Sequence, residues 1–303
     1  MARCSHPHYT LDLGVKENGK RALKFVGFRP DLSSLKQLSE RYGKESIVPL
    51  PCGHCVNCYI NKAKEWAVRC VLEALDHEEN YFITLTYDNE HLPKDGKVSK
   101  EEMQRFFKRL RQEFGECRYL CVGEYGKANK RPHYHAIVFG LHIPDANAVL
   151  GHPKSVRFSK VWPYGEYSLD EVTYASANYV AQYTTNKLFK NVSNEFLLVS
   201  NRPGLGYNWC VRNIPKILEY DKVYGYFGSC KEARLPRYFD KVAELLDEDG
   251  FKNLKMKRAI NNEAYDIHNM IKHSFDRVEK LLAYQEQITL NEFIRRLRGV
   301  RKL

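Results

Sequence analysis

The stretch Arg131–Gly140, RPHYHAIVFG, constrains this chain more than any other part of the sequence. His133 and His135 flank Tyr134, and an apolar run follows directly. On a β-strand, residues i and i+2 project from the same face, so the two imidazoles would lie side by side. Two neighbouring imidazoles beside a buried strand can hold a divalent metal ion. They can also be ordinary polar residues at a strand end, and this stretch does not separate the two interpretations.

A carboxylate joins the histidines if their strand forms a hairpin with the preceding one. Arg118–Glu124 has a strand pattern, and Gly126–Arg131 has the composition of a turn. Pairing across this turn would place Glu124 beside His133. Two histidines and one carboxylate form a facial metal site with open positions, which is a catalytic arrangement rather than a structural one. We therefore predict that Glu124, His133 and His135 are metal ligands.

A cysteine-rich segment, Pro51–Cys58 (PCGHCVNC), indicates a second metal site. The CxxCxxC spacing places three thiolates close enough to share one tetrahedral ion, and a closed structural zinc site needs a fourth ligand. The alternatives are unligated thiols, which behave as small buried hydrophobes, and an iron–sulfur centre. The predicted zinc ligands are Cys52, Cys55, Cys58 and, as first choice for the fourth, Cys4, with His54, His6 or His8 as alternatives.

The overall balance of charge favours a nucleic-acid partner. The formal net charge is +11, and aromatic residues make up 13% of the 303 residues. Cations suit phosphates and aromatic rings suit unstacked bases, although a solvated positive surface would give the same balance. The basic cluster near the end of the chain has the same two interpretations; it consists of Arg295, Arg296, Arg298, Arg301 and Lys302.

Compartment follows from apolar runs and cysteine usage. No run of about 18 apolar residues is present, so we expect no spanning helix and no membrane partner. The opening residues, MARCSHPHYTLDLG, lack the apolar core of a secretion signal. Nine cysteines without an export signal argue against a disulfide framework. We expect a soluble protein of the cytoplasm.

The order of elements predicts an α+β fold with a central antiparallel sheet that carries the histidines and is flanked by helices. Tyr81–Tyr87 has the composition of a strand, and Ser99 with Glu102 forms a capping box that opens a helix. We predict three regions. They are an irregular N-terminal extension with the zinc site (1–58), a catalytic core (59–228) and a mostly helical, basic C-terminal region (229–303).

A predicted helix, Ala175–Leu188, carries two tyrosines at helical spacing. Tyr179 and Tyr183 are four residues apart, so both hydroxyls would share a helix face, and Lys187 continues the same line. Amphipathic packing explains such a pair in most proteins. What distinguishes this chain is the succession of a Thr-Leu-Thr strand, a His-aromatic-His strand and a YxxxY helix.

In this succession the chain resembles the HUH endonuclease superfamily, and within it the replication initiators of small, gokushovirus-like microviruses. Ile83–Tyr87 (ITLTY) looks like the first motif, and His133-Tyr134-His135 is similar to the metal motif. Tyr179 and Tyr183 with Lys187 look like the nucleophile motif in its two-tyrosine form. The resemblance covers roughly Cys52–Lys187, including the cysteine segment. It departs from the pattern at Gln182, where related helices often carry lysine.

The resemblance implies an enzyme that nicks and rejoins single-stranded DNA at an origin and so drives rolling-circle replication. Tyr179 and Tyr183 would alternate as nucleophiles through a 5′-phosphotyrosine link, with Lys187 as a nearby cation and Mg²⁺ or Mn²⁺ on the histidine site. No P-loop is encoded, so a host helicase and polymerase would be partners in a bacterial cytoplasm. The alternatives are a plasmid initiator or transposase of the same superfamily, and a zinc-stabilised nucleic-acid-binding protein without catalysis.

Overall fold

The computed structural model describes residues 4–15, 21–27, 32–43, 46–126, 130–149, 152–183, 195–227, 230–263, 283–284, 286–292 and 294. These residues group into two compact units, one within Met1–Asn61 and Lys252–Leu303 and the other within Lys62–Phe251. The mixed α+β class that the sequence predicts is confirmed. Among the described residues, no helix has the combination of length and apolar character that crossing a bilayer requires.

The first fifty residues contain a small sheet, so the prediction of an irregular extension is wrong for them. Strands β1 (His8–Val15), β2 (Arg21–Gly27) and β3 (Ile47–Leu50) pair antiparallel in the order β2-β1-β3, and helix α1 (Leu32–Tyr42) precedes β3. Alternation along β1 buries Tyr9 and Leu11 against Ile47. The two-residue period of HYTLDLGV contains this signal, but so short a pattern is easily mistaken for a polar loop.

The larger unit is built on a five-stranded antiparallel sheet with strand order β10-β5-β6-β4-β9. Strand β6 lies at its centre and is buried on both faces, which explains its continuous apolar run. The remaining elements in chain order are α2 (Val56–Ala74), β4 (Asn80–Thr86), α3 (Lys100–Phe114), β5 (Arg118–Tyr125), β6 (Pro132–Phe139), β7 (Asn147–Val149), β8 (His152–Lys154), α4 (Val156–Val161), β9 (Tyr167–Glu171), α5 (Tyr174–Tyr183), β10 (Phe196–Val199), α6 (Tyr207–Arg212), α7 (Ile214–Tyr220), β11 (Lys222–Phe227), β12 (Cys230–Arg234), α8 (Arg237–Leu246) and α9 (Glu248–Glu263).

Each face of the five-stranded sheet has its own hydrophobic core. On one face, Tyr134, Ala136 and Val138 of β6 pack with the apolar stripe of α3. On the other, Ile137 and Phe139 pack with residues of α2 and α5. Because successive residues of a strand point to opposite faces, β6 contributes to both cores. Burial of each large apolar side chain contributes about 1.5–3 kcal/mol, so these cores hold α3 and α5 firmly against the sheet.

Helix α3 begins with half of the predicted capping box. The Ser99 hydroxyl accepts a hydrogen bond from the backbone N–H of Glu102 at 3.1 Å, as the motif predicts. The Glu102 carboxylate, however, contacts Arg105 and Arg109 rather than reaching back to the cap. The backbone N–H of Ser99 is instead donated to the Tyr134 hydroxyl at 2.9 Å. The start of α3 is therefore fixed by the aromatic residue that separates the two histidines.

Helix α5 ends, as far as the structure describes it, at Tyr183. Its N-terminus is capped by Thr173, whose hydroxyl accepts from the N–H of Ser176 at 3.1 Å. Residues 184–188 of the predicted helix lie outside the described residues, and so does the basic cluster from Arg295 to Lys302.

Candidate active site

The predicted hairpin of β5 and β6 places the three expected metal ligands on one face of the sheet. Glu124 lies directly opposite His133, and Val122 lies opposite His135. On the other side of β6, Thr84 of β4 pairs with His135. Directly paired residues of antiparallel strands share a face, so Glu124, His133, His135 and Thr84 project together.

The three side chains converge on one point. Oε1 of Glu124 lies 2.6 Å from Nε2 of His133 and 3.0 Å from Nε2 of His135. Glu124 and His135 are buried, with 5% and 6% of their surface exposed, and His133 is half-buried. Their ligand atoms all lie within 4.8 Å of one another, so this group can hold a metal ion. The hairpin register that the sequence leaves open is the one that brings the carboxylate to the imidazoles.

The outer nitrogens of both rings are bonded in the manner of metal-binding histidines. His133 donates its Nδ1–H to the carbonyl of Arg131 at 3.1 Å, which leaves the lone pair of the neutral ring on Nε2. Nδ1 of His135 lies 3.0 Å from the Thr84 hydroxyl. A lone pair of His133 that faces a Glu124 oxygen at 2.6 Å requires a cation between them, either a proton or a metal ion. The donor set therefore fits a metal site with its supporting hydrogen bonds in place.

Protonation of the three groups reflects burial and their mutual contacts. Burial raises the pKa of Glu124, but hydrogen bonds with His133 and His135 outweigh it and hold the pKa below its ordinary value. Burial lowers the pKa of His133, whereas the bond to Glu124 raises it by more. For His135 burial dominates, and the pKa falls. His135 is thus the more readily neutral imidazole, which is the form that donates a lone pair to a metal.

Both predicted tyrosines of α5 reach this group. The Tyr183 hydroxyl donates to the Tyr179 hydroxyl at 2.6 Å. The ring of Tyr183 stacks on His135 with centroids 5.9 Å apart, and the ring of Tyr179 meets His135 edge-on at 5.2 Å. Phe82 of β4 contacts both His135 and Tyr179. The two phenols therefore lie next to the metal-binding group, with their hydroxyls side by side.

The phenols are held in their neutral form by their surroundings. Burial, and after it the negative charge of Glu124, raises the pKa of both Tyr179 and Tyr183. A cation beside Glu124 would remove the second effect and favour phenolate. Lys187, the cation predicted from the sequence, lies outside the described residues.

Two residues contribute to the site that motif reasoning missed as individuals. Thr84 bonds His135, and Phe82 packs against His135 and Tyr179. Both belong to the alternation of β4, whose even-numbered residues share a face, so strand pairing would have identified them once the register was known.

The four cysteines of the predicted second metal site also come together. Cys4, Cys52, Cys55 and Cys58 have all their sulfur atoms within 4.8 Å of one another, and this group too can hold a metal ion. His54 is exposed and contributes only its backbone N–H, which it donates to the sulfur of Cys52. All four cysteines belong to the unit that contains the small N-terminal sheet.

Fold and site together define an HUH endonuclease-like protein, in which an antiparallel sheet carries paired histidines beside a two-tyrosine helix. The model of a family of replication-associated proteins, described by its member ORF2, matches residues 80–188, a range that includes both histidines and both tyrosines. No solved structure matches the chain.

Relatives along most of the chain agree with the family model. Replication-associated protein ORF2 of Spiroplasma virus 4 is 31% identical over 260 residues, which cover 79% of this chain and 77% of that protein. Replication-associated protein ORF4 of Chlamydia phage 1 is 27% identical over 284 residues, 84% of this chain and 69% of that protein. Replication-associated protein VP4 of Bdellovibrio phage phiMH2K is 30% identical over 224 residues, 66% of this chain and 70% of that protein. This chain belongs to the family of replication-associated proteins of microvirus-like phages.

Proposed function

We propose that this protein initiates rolling-circle replication of a phage genome by nicking and rejoining single-stranded DNA through a covalent tyrosine link. The observation that carries the proposal is the contact of both Tyr179 and Tyr183 with His135, itself a member of the metal-binding group. Two nucleophiles on one helix face next to one cation site suit a reaction that transfers a DNA end twice.

Glu124, His133 and His135 would hold Mg²⁺ or Mn²⁺ in this site. Three protein ligands leave coordination positions open, and the mixed set of one carboxylate and two imidazoles suits Mn²⁺ in particular. When bound, such an ion would act as a Lewis acid on the scissile phosphate and offset its negative charge. His135 and Glu124 are buried, so the protein would fix the position of the ligands before DNA arrives.

The chemical step assigns the tyrosine oxygen as nucleophile. Attack on phosphorus forms a tyrosine–phosphate bond and breaks the bond to the 3′ oxygen, which leaves as a hydroxyl after taking up the proton that the phenol loses. The Tyr183 hydroxyl donates to Tyr179 at 2.6 Å, so it would stabilise the phenolate that develops on Tyr179. Lys187 would add positive charge. The new phosphodiester preserves the energy of the old one, so the reverse reaction rejoins ends without ATP.

A pair of tyrosines permits one to hold the parental DNA end while the other cuts the newly made junction. The substrate would be single-stranded, because the chain joins a +11 charge to many aromatic side chains that can stack on unpaired bases. Unwinding and synthesis would fall to a host helicase and polymerase in the bacterial cytoplasm.

The proposal is tested with circular single-stranded phage DNA, Mn²⁺ or Mg²⁺, and denaturing electrophoresis. We expect nicked DNA and a DNA–protein adduct that survives denaturation, both abolished by EDTA. Tyr174→Phe, a change at the start of the same helix, serves as the matched control and should leave the adduct unchanged. Absence of nick and adduct with either ion would contradict the proposal and favour a binding protein without catalysis.

Membership of another branch of the superfamily is the second outcome of this assay. A single-tyrosine transposase would depend on one of Tyr179 and Tyr183 alone. If Tyr179→Phe or Tyr183→Phe by itself retains repeated transfer at the wild-type rate, the alternating scheme is wrong.

A further inference from the structure

Four cysteine thiols meet at one point in the smaller unit, from two distant parts of the sequence. Cys4 precedes β1, whereas Cys52, Cys55 and Cys58 lie between β3 and the first turn of α2. In the pairing of β1 with β3, His8 lies opposite Leu50, so the residues before His8 run alongside the residues after Leu50. The sheet that the sequence did not predict is therefore what brings Cys4 to the CxxCxxC segment.

The spacing of the sulfur atoms matches ligands around a single ion. The sulfur of Cys52 lies 3.9 Å from that of Cys58, and the sulfur of Cys55 lies 3.9 Å from that of Cys4. A disulfide would need about 2.05 Å, and all four cysteines are free. Four sulfurs at about 2.3 Å from one tetrahedral zinc ion are separated by about 3.8 Å. The ligands of an iron–sulfur cluster bind different iron atoms and lie further apart.

Backbone amides point at the sulfurs as they do at thiolates. The N–H of Cys52 donates to the sulfur of Cys4 at 3.2 Å, and the N–H groups of His54 and Cys55 donate to the sulfur of Cys52 at 3.3 Å. Gly53 adopts a positive φ of 78°, which is the conformation that lets both later amides face one sulfur. The N-terminus of α2 follows at once and adds positive electrostatic potential. Amide donors and a helix N-terminus both favour the charged ligand form.

We infer that Cys4, Cys52, Cys55 and Cys58 bind one structural Zn²⁺ ion. Four thiolates complete a tetrahedral shell and leave no open position for substrate, which is the mark of a structural rather than a catalytic site. The histidines that the sequence offered as fourth ligands have other surroundings. His54 is exposed, His6 pairs with Glu286 at 3.0 Å, and the ring of His8 packs against Phe25.

The role of the ion follows from how little apolar surface this sheet buries. Its core consists of Tyr9, Leu11 and Ile47, with Val26 and Leu38 packed against them. A core of this size supports a small unit poorly, and natural proteins supplement such cores with metals or disulfides. A buried hydrogen bond from the side-chain amide of Asn57 to the Ser5 hydroxyl, at 3.0 Å, joins the same two segments beside the thiols. The ion would therefore cross-link the start of the chain to the start of α2.

The test measures metal content of the full-length protein by mass spectrometry after dialysis. We expect about one zinc per chain, retained in His54→Ala and in the double variant His133→Ala/His135→Ala, and lost in Cys55→Ser and Cys58→Ser. Retention in the double variant excludes the catalytic site as the source of the zinc, so the inference stands or fails apart from the proposed function. Replacement by Co²⁺ should give the charge-transfer absorption of a thiolate-bound ion.

A second measurement covers cysteine variants that fail to fold. In the wild-type protein, alkylation followed by peptide mapping should find these four cysteines protected until a chelator is added. Wild-type protein without zinc, zinc retained in Cys55→Ser, zinc lost in His54→Ala, or free alkylation of the four thiols in the zinc-loaded protein would each overturn the inference.

Discussion

The two faces of strand β6 contribute different things to the same active site. On one face, His133 and His135 meet Glu124 and the two tyrosines of α5. On the other, Tyr134 is completely buried, its hydroxyl lies 3.1 Å from the hydroxyl of Tyr87, and it accepts the N–H of Ser99. One face carries the chemistry, and the other anchors the strand to α3. The HxH spacing is thus a statement about alternation, with ligands at i and i+2 and an anchor at i+1.

This contrast predicts that activity and stability separate along three consecutive residues. Changes on the catalytic face should reduce nicking or metal affinity and leave most of the fold intact. Changes on the anchoring face should reduce the free energy of unfolding and leave metal affinity unchanged.

The largest effect is expected from removing both nucleophiles. Tyr179→Phe/Tyr183→Phe should eliminate the covalent adduct, because no phenol oxygen then lies beside the metal-binding group. Each single variant should still cut once but fail to complete repeated transfer. Single-turnover and multiple-turnover nicking assays separate the two defects, and an adduct formed by the double variant would place the nucleophile elsewhere.

Loss of a metal ligand should come next. His133→Ala is expected to slow nicking about a thousandfold, since a Lewis acid contributes several kcal/mol of transition-state stabilisation. His133 is half-buried, so the free energy of unfolding should change by no more than about 1 kcal/mol. Nicking rates and urea denaturation measure the two quantities. Wild-type nicking by this variant would show that the histidines only pack.

Thr84 should have a smaller effect that is specific to the catalytic face. Thr84→Val keeps the shape but removes the hydroxyl beside Nδ1 of His135, so Mn²⁺ affinity should fall about 10–100-fold. Thr84→Ser should restore it, and Thr86→Val, one step along the same face, is the matched control. Isothermal titration with Mn²⁺ reports the affinity directly. Equal affinity of Thr84→Val and wild type would mean that the hydroxyl does not position the ring.

The smallest effect is expected on the anchoring face. Tyr134→Phe removes the hydroxyl that accepts from Ser99 and contacts Tyr87, which should lower the free energy of unfolding by about 1–2 kcal/mol. Mn²⁺ affinity should stay at the wild-type value, because the ligands project from the opposite face. Tyr81→Phe, at a less buried position of the same sheet, is the control for loss of a hydroxyl. A drop in metal affinity without a drop in stability would reverse the assignment of the two faces.

The parts of the site that were predictable from the sequence are those that depend on local periodicity. Alternation places His133 and His135 together, a short turn pairs them with Glu124, and helical spacing aligns Tyr179 with Tyr183. These relations involve residues close in sequence, so few arrangements of the backbone satisfy them.

What could not be predicted depends on contacts between distant segments. The bond from Thr84 to His135 requires the β4–β6 register, and the choice of Cys4 over three histidines requires the pairing of β1 with β3. The small sheet itself escaped because its strands bury few side chains. Spacing identifies which chemistry is present, whereas long-range pairing decides which residues complete it.

The central claim is that α5 supplies the nucleophiles to a metal site on the catalytic face. The direct measurement is peptide mapping of the covalent adduct formed with single-stranded origin DNA and Mn²⁺. The DNA 5′ phosphate should be found on Tyr179 or Tyr183, and in Tyr179→Phe it should be found on Tyr183 alone. A phosphate attached to any other residue, or an adduct that forms equally well in EDTA, would contradict the claim.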